Sequence, residues 1–143
     1  MSKENKDVLA RLSEEHETLL PLIKDIETAA GRQALEAHDM PALLAQLAAG
    51  RQALTTELDA HIALEEDDAF ALIEQAMGEG FVAPFRSEHR EIRALRDQVL
   101  AGADAGRVPV SLCLQLCDLI QEHMQREDAM LFPSARNAIA QNQ

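Results

Sequence analysis

The sequence has few aromatic residues. Its four phenylalanines make up 3% of the 143 residues, and it has no tryptophan or tyrosine. Strands are usually rich in aromatic and β-branched residues, whereas the 47% hydrophobic content here is largely alanine and leucine, which favour helices. No segment alternates with the period of a strand. The composition predicts an all-α protein, and the length predicts a single domain over residues 1–143. The lack of tyrosine excludes a tyrosyl-radical cofactor.

Basic residues are also scarce, with 13 Lys and Arg against 25 Asp and Glu, a formal net charge of −12. A surface of this charge repels phosphate backbones and anionic lipids, so we expect neither nucleic acid nor a membrane as partner. No run reaches the roughly 18–20 apolar residues that a membrane span needs. The first seven residues lack the apolar core of a signal peptide, so we expect a cytoplasmic protein.

Only two cysteines are present, Cys113 and Cys117, within an apolar run. A spacing of four places both on one helix face but generally leaves them too far apart for a disulfide. A thioredoxin-type motif has two intervening residues, and this pair has three. We predict reduced thiols in the core.

Apolar residues recur with helical period in four segments, three of which begin at or next to a proline and three of which end near a glycine. The predicted helices run from Asp7 to Gly31, from Met40 to Met77, from Pro84 to Leu100 and from Pro109 to about Ala138. Pro21 is expected to kink the first helix or to leave a carbonyl unpaired. Four helices joined by short connections predict an antiparallel up-down bundle.

The second half of the chain repeats the first. The segments HIALEEDDAF (61–70) and HMQREDAMLF (123–132) both have Glu four residues and Phe nine residues after His. Upstream, EHE (15–17) on the first helix matches EHR (88–90) on the third. Two such hairpins give a bundle with pseudo-twofold symmetry and bring four histidines and two glutamates toward its axis.

The His-x-x-x-Glu spacing puts an imidazole and a carboxylate on one helix face, about 6 Å apart. Leu54, Leu58 and Leu72 are predicted near this face of the second helix, and Leu112, Leu116, Leu119 and Met130 near that of the fourth. Burying the polar groups unpaired would cost several kcal/mol each, a cost that bound cations remove. The candidate metal ligands are His16, His61, Glu65, His89, His123 and Glu127. Imidazole and carboxylate donors suit iron, manganese or zinc, and two carboxylates able to bridge favour two metal ions over one.

Several neighbouring residues leave alternatives open. Asp128 follows His123 by five and competes with Glu127, although the repeat favours Glu127. The acidic run 66–68 is expected to be a solvated surface, from which Glu66 or Asp68 could accept hydrogen bonds from ligand imidazoles. His38 lies roughly 35 Å from His61 along a continuous helix. Only a break at Gly50 would bring His38 to the site, so we expect it to cap a helix or face solvent.

These motifs resemble the hemerythrin-like (HHE cation-binding) family of four-helix bundles with a non-haem di-iron site. They include His16 with Pro21 five residues later, His61-x-x-x-Glu65-Glu66 and His123-x-x-x-Glu127 ending in Leu-Phe-Pro. The sequence is especially similar to the C-terminal domain of proteins that repair iron centres after nitrosative and oxidative stress. The resemblance implies two iron ions with an oxo or hydroxo bridge. It implies terminal ligands His16, His61, His89 and His123, and bridging ligands Glu65 and Glu127.

One departure from the oxygen-carrying hemerythrins bears on function, because Arg93 stands where those proteins have a second histidine on the third helix. The loss of that ligand leaves more room at one iron and favours redox or nitric oxide chemistry over simple oxygen carriage. We expect a protein that binds O2 or NO in sensing or stress response. The alternatives are a di-iron redox enzyme or iron donor, which would reduce NO or peroxide or repair iron centres, and a metal-free interaction bundle. A ferritin-like site is disfavoured, since its Glu-x-x-His motif has the opposite order.

Overall fold

Four long helices account for nearly all of the residues that the computed structural model describes, 3–36 and 39–142. Helix α1 is Lys3–Leu35, α2 spans 40–77, α3 is Ala83–Asp104 and α4 spans 110–141. A single 3-10 turn, Glu79–Phe81, lies between α2 and α3. The predicted all-α four-helix bundle is thereby confirmed. The expected capping or exposed position of His38 lies outside the described residues.

Prolines and glycines set most of the helix ends as the sequence predicted. Pro41 and Pro84 lie in first turns, and Gly78, with φ of 99°, follows the end of α2. The predicted end of α1 at Gly31 is wrong, since the helix continues to Leu35. One glycine costs a helix only about 1 kcal/mol, which the good helix formers after it offset. The helix also continues through Pro21, at an exposed position where water can serve the carbonyl that the missing amide leaves free.

Helices α2 and α4 each contain π-helical turns. In α2, Met40–Gln52, Leu58–Leu64 and Phe70–Met77 are α-helical and are separated by the π turns Ala53–Glu57 and Glu65–Ala69. In α4, one π turn, Glu127–Leu131, separates Val110–Arg126 from Phe132–Gln141. A π turn inserts one residue into a helix and is frequent at functional sites. Two of the three π turns in the described residues begin at the glutamate of a His-x-x-x-Glu motif.

The inserted residues change which side chains face the core. Regular helical spacing predicted Met130 near the core, but its exposed fraction is 64%, whereas Leu131 is buried. In α2 the same insertion leaves Leu72 half-buried and buries Ile73 completely. Met130 lies within one of these π turns, and Leu72 follows the other. Of the leucines predicted ahead of Glu65 and Glu127, Leu54, Leu58 and Leu116 are buried, whereas Leu112 and Leu119 are half-buried.

The apolar core has two parts with the predicted site residues between them. On α1, His16 lies between Leu12 of the smaller cluster and Leu19 of the larger one. The smaller cluster is built around Phe70 and Phe132. The four helices therefore enclose a polar layer that is covered by apolar side chains on both sides.

The two cysteines lie in the larger cluster, and both are buried free thiols, as predicted. A hydrogen bond with Cys113 and, to a lesser extent, burial raise the pKa of the Cys117 thiol well above its usual range. None of the described helices is both long and apolar enough to cross a membrane.

Gly102 permits the close connection between α3 and α4. A Cβ atom at this position would lie 2.5 Å from Pro109 Cδ and 2.6 Å from the Arg107 carbonyl oxygen. We predict that Gly102→Ala lowers the free energy of unfolding by about 1–3 kcal/mol in chemical denaturation, because the backbone must shift. Gly31→Ala is the matched control. A Cβ there meets nothing within 4 Å, so this variant should gain roughly 0.5–1 kcal/mol. Equal stability of the two variants would contradict the packing described here.

Candidate metal centre

The structure brings all six predicted ligand side chains together in the core. Helices α1 and α3 each contribute one histidine, and α2 and α4 each contribute a histidine and a glutamate. The exposed fractions are 1% for His16, 3% for His61, 0% for Glu65, 1% for His89, 3% for His123 and 0% for Glu127. A charged or polar cluster with so little exposure requires internal partners.

The four imidazoles form two pairs. His16 Nε2 lies 3.1 Å from His61 Nε2, and His89 Nε2 lies 3.1 Å from His123 Nε2. We call the His16/His61 pair the first position and the His89/His123 pair the second position. Each pair joins histidines from two adjacent helices, with the Nε2 atoms directed toward the bundle axis.

The two carboxylates face both positions. Glu65 has Oε1 2.7 Å from His89 Nε2 and Oε2 3.4 Å from His61 Nε2. Glu127 has Oε1 3.3 Å from His16 Nε2 and Oε2 3.3 Å from His123 Nε2. Two groups of four donors result, each with two imidazoles and both carboxylates, and the donor atoms of each group lie within 4.8 Å of one another.

Three of the four oxygens of these two carboxylates lack a hydrogen-bond partner. Glu65 Oε2 and both side-chain oxygens of Glu127 are buried without a hydrogen-bond partner. An unsatisfied buried acceptor typically costs about 1–3 kcal/mol, and more when it is charged. Cations between the imidazole nitrogens and these oxygens would satisfy all three, and this donor set suits iron, manganese or zinc. The cluster therefore fits a metal centre in both its composition and its missing partners.

Proton affinities in the cluster are strongly perturbed. Burial and the negative charge of Glu65 hold the pKa of Glu127 well above its usual range. Burial also acts to raise the pKa of Glu65, but the neighbouring proton-carrying groups Glu127 and His123 hold it well below that range. Burial lowers the pKa of His16. At His123 burial is outweighed by the two glutamates, which raise its pKa to about 10. Protons therefore occupy the metal-free cluster, and a cation would displace them.

Four further carboxylates surround the imidazoles. Each histidine donates its Nδ1 hydrogen to one of them, which directs its Nε2 atom toward the inner cluster. The donor–acceptor distances are 2.8 Å for His16–Asp128, 2.7 Å for His61–Glu15, 2.6 Å for His89–Glu66 and 2.8 Å for His123–Glu88. This arrangement fixes the tautomer and the orientation of every imidazole.

The pseudo-twofold repeat extends to these outer carboxylates, although sequence reasoning identified only some of them. Glu66 lies where the hypothesis of an imidazole partner placed it, whereas Asp68 is exposed. Asp128 lies outside the inner cluster and accepts from His16, so it is not among the four donors at either position. Glu15 and Glu88 were missed. Their signal was in the repeat, because each directly precedes a candidate ligand histidine.

Phenylalanine rings contact three of the four imidazoles on the side of the smaller apolar cluster. Phe70 stacks on His89 with ring centroids 5.5 Å apart, and Phe132 stacks on His16 at 6.1 Å. Phe85 makes an edge contact with His123 at 5.4 Å. Arg93 points away from the cluster, toward Asp59 at 3.5 Å. The rings limit water access and keep the imidazoles in place.

Comparison with known proteins gives a family match over most of the chain. The family model described as "Hemerythrin HHE cation binding domain" matches residues 7–135. A curated protein of Nostoc sp. (strain PCC 7120 / SAG 25.82 / UTEX 2576) described as "DNA nickase" is 26% identical over 87 residues. The aligned region is 61% of this chain but 25% of that protein, so the chain corresponds to only part of its length. No solved structure gives a significant match.

Replacement of one inner carboxyl group tests the energetics of the cluster. We predict that Glu127→Gln raises the free energy of unfolding of the metal-free protein by roughly 1–3 kcal/mol at neutral pH, because Glu127 is ionised in the unfolded chain and must take up a proton on folding, whereas the amide is neutral in both states. The same variant should lose stabilisation by Fe(II). That stabilisation would be about 2.7 kcal/mol in the wild type at a concentration of 100 times Kd.

Thermal or chemical denaturation with and without Fe(II) measures both effects. The control is Glu122→Gln, an exposed position on the same helix, which should change neither value. A destabilised metal-free Glu127→Gln protein, or equal stabilisation of variant and wild type by Fe(II), would contradict the interpretation.

Proposed function

Because this chain belongs to the hemerythrin HHE cation-binding domain family, we propose that it is a non-haem di-iron protein that binds O2 or NO, in sensing or in the response to oxidative and nitrosative stress. One observation carries the proposal. The buried cluster divides into two equivalent groups of donors that share both carboxylates.

The sharing of Glu65 and Glu127 supports two cations. Each carboxylate lies near imidazoles of both positions, so a cation at one position alone would leave the histidines of the other unused. In this proposal His16 and His61 hold one ion, His89 and His123 hold the other, and Glu65 and Glu127 bridge them. Manganese and zinc accept the same donors. The resemblance to di-iron proteins favours iron.

The protein donors leave room for an external ligand. Each position has two imidazoles and two shared carboxylates, fewer donors than an octahedral ion accepts. Arg93, which replaces a histidine of the oxygen-carrying hemerythrins, is directed toward Asp59 and adds no donor. When bound, a reduced iron pair would supply electrons and coordination positions for O2 or NO.

A surface pocket gives such a ligand a route to the first position. The pocket has a volume of about 280 Å³ and is lined by Glu15, Thr18, Leu19, Glu57, Ala60 and His61. It therefore reaches a candidate ligand imidazole directly. A second pocket, of about 310 Å³, lies beside the second position, but there Phe85 separates it from His123. Small uncharged gases suit an approach along the buried His61 ring.

The same open positions favour one alternative function, a redox enzyme or iron donor that reduces NO or peroxide or supplies iron for repair. A binding protein forms a stable adduct with the gas. An enzyme consumes the gas repeatedly when a reductant is supplied, and an iron donor loses its metal to an acceptor. Gas consumption under reducing conditions distinguishes these outcomes.

Metal content tests the proposal itself. We predict about two iron ions per chain, because the proposed site holds two, and a near-ultraviolet charge-transfer band in protein purified in air, because an oxo bridge between ferric ions would absorb there. Both signals should be lost in the double variant His61→Ala, Glu65→Ala. They should persist in Asp67→Ala, an exposed position on the same helix. Zinc alone at one ion per chain, or no metal in the wild type, would refute the di-iron proposal.

Filling the pocket tests the route of the ligand. We predict that Ala60→Trp slows the association of NO with the reduced protein several-fold in stopped-flow measurements, because the indole occupies space beside His61. Iron content should not change. Ala63→Trp, also exposed on α2 but outside the pocket lining, is the control. An unchanged association rate for Ala60→Trp would show that the ligand enters elsewhere.

A further inference from the structure

The two metal positions have similar donors, but the repeat is broken at residues beside them. With His16 aligned to His89, and His61 to His123, three of the aligned positions that differ in chemistry have a second-half residue in contact with His123 or with an outer carboxylate of the second position. The pairs are Leu12 with Phe85, Ser13 with Arg86, and Leu64 with Arg126. In each pair the bulkier or cationic residue belongs to the second position.

Arg86 and Ser13 contact equivalent outer carboxylates. Ser13 Oγ donates to Asp128 at 2.8 Å, a neutral hydrogen bond to the partner of His16. Arg86 instead places a guanidinium nitrogen 4.0 Å from Glu66, the partner of His89, and donates to Glu74 at 2.7 Å. The Arg86 guanidinium also lies over the Phe70 ring, 5.2 Å from its centroid, which holds it beside the site.

Arg126 contacts the carboxylate partner of His123, the other imidazole of the second position. It donates to Glu88, the carboxylate that accepts from His123, and its guanidinium lies 5.6 Å from the centroid of Phe85. The aligned residue in the first half is Leu64, which carries no charge. Glu15, the aligned carboxylate, pairs with Arg11 at 3.3 Å, but that arginine is 66% exposed and its charge is largely screened by solvent.

The difference changes the charge around each bound ion. A carboxylate on the outer nitrogen of an imidazole increases the electron donation of that imidazole to a metal. At the second position guanidinium groups that are 34% and 39% exposed offset the charge of Glu66 and Glu88. At the first position Asp128 instead accepts from the uncharged hydroxyl group of Ser13. Burial strengthens the interaction of Glu66 and Glu88 with the imidazoles of the second position, but it strengthens the ion pairs of these carboxylates with the arginines as well.

We propose that the two metal positions are unequal, so that His16 and His61 bind the first ion tightly and His89 and His123 bind the second ion more weakly. The inference rests on the proposed di-metal function. Arg86 and Arg126 are positioning residues here, since they act through Glu66 and Glu88 rather than on the ions. Metal loading is then ordered, with a half-loaded protein that holds its ion at the first position.

Calorimetric titration of the metal-free protein with Fe(II), without oxygen, tests the order of loading. We expect two binding steps whose dissociation constants differ by roughly tenfold or more, the size typical of changes around imidazole ligands. His61→Ala should abolish the tighter step, whereas His123→Ala should abolish the weaker step and keep the tighter one. Two equal steps in the wild type, or loss of the tighter step in His123→Ala alone, would overturn the inference.

Replacement of each arginine by the residue aligned with it in the first half tests whether the arginines cause the weaker binding of the second ion. Arg126→Leu copies Leu64 and should tighten the second step about tenfold without changing the first. Arg86→Ser, which copies Ser13, should also tighten the second step. This variant replaces Arg126→Leu in the test if circular dichroism shows that Arg126→Leu does not fold. Arg51→Leu removes an exposed ion pair with Asp104 and is the control, with both steps unchanged. An unchanged second step in the folded arginine variants would refute the proposed cause, whereas a wild type that binds no Fe(II) would instead refute the di-iron proposal.

Discussion

The burial of two carboxylates among four imidazoles is the constraint on which the rest of this bundle depends. Glu65 and Glu127 are fully buried, and three of their four oxygens have no hydrogen-bond partner. An apolar core tolerates such a layer only when its charge is compensated. The outer carboxylates, the stacked phenylalanines and the helix register all hold the imidazoles where they can share a cation with these oxygens. The hemerythrin HHE match over residues 7–135 agrees with a site of this kind.

The π turns connect the site to the helix register. Those that begin at Glu65 and Glu127 each insert a residue, after which Phe70 and Phe132 turn inward to cover the histidines. The π turn Ala53–Glu57 has no counterpart in α4. In this turn of α2 the amide of Leu58 donates to the carbonyl of Ala53 rather than that of Leu54. The buried Arg96 side chain donates to the freed Leu54 carbonyl at 3.2 Å. The residue aligned with Arg96 in the first half is Ile23, so this arginine accompanies the extra turn.

The sequence predicted the parts of this structure that depend on periodicity and on the repeat. These are the all-α fold, the hemerythrin-like family and the convergence of the six inner side chains. It did not predict the π turns, because they arise from tertiary packing and have no local sequence signal. Met130 was therefore placed near the core although it is exposed. Glu15 and Glu88 were missed because an acidic residue beside a histidine looks like ordinary surface until the helices are packed together.

A crystal structure of the iron-loaded protein, with anomalous scattering measured at the iron absorption edge, tests the central claim most directly. The account predicts two anomalous peaks in each chain. One would be bounded by His16 and His61 and the other by His89 and His123, with Glu65 and Glu127 in contact with both. A single peak shared by all six side chains, or peaks only at the protein surface, would contradict it.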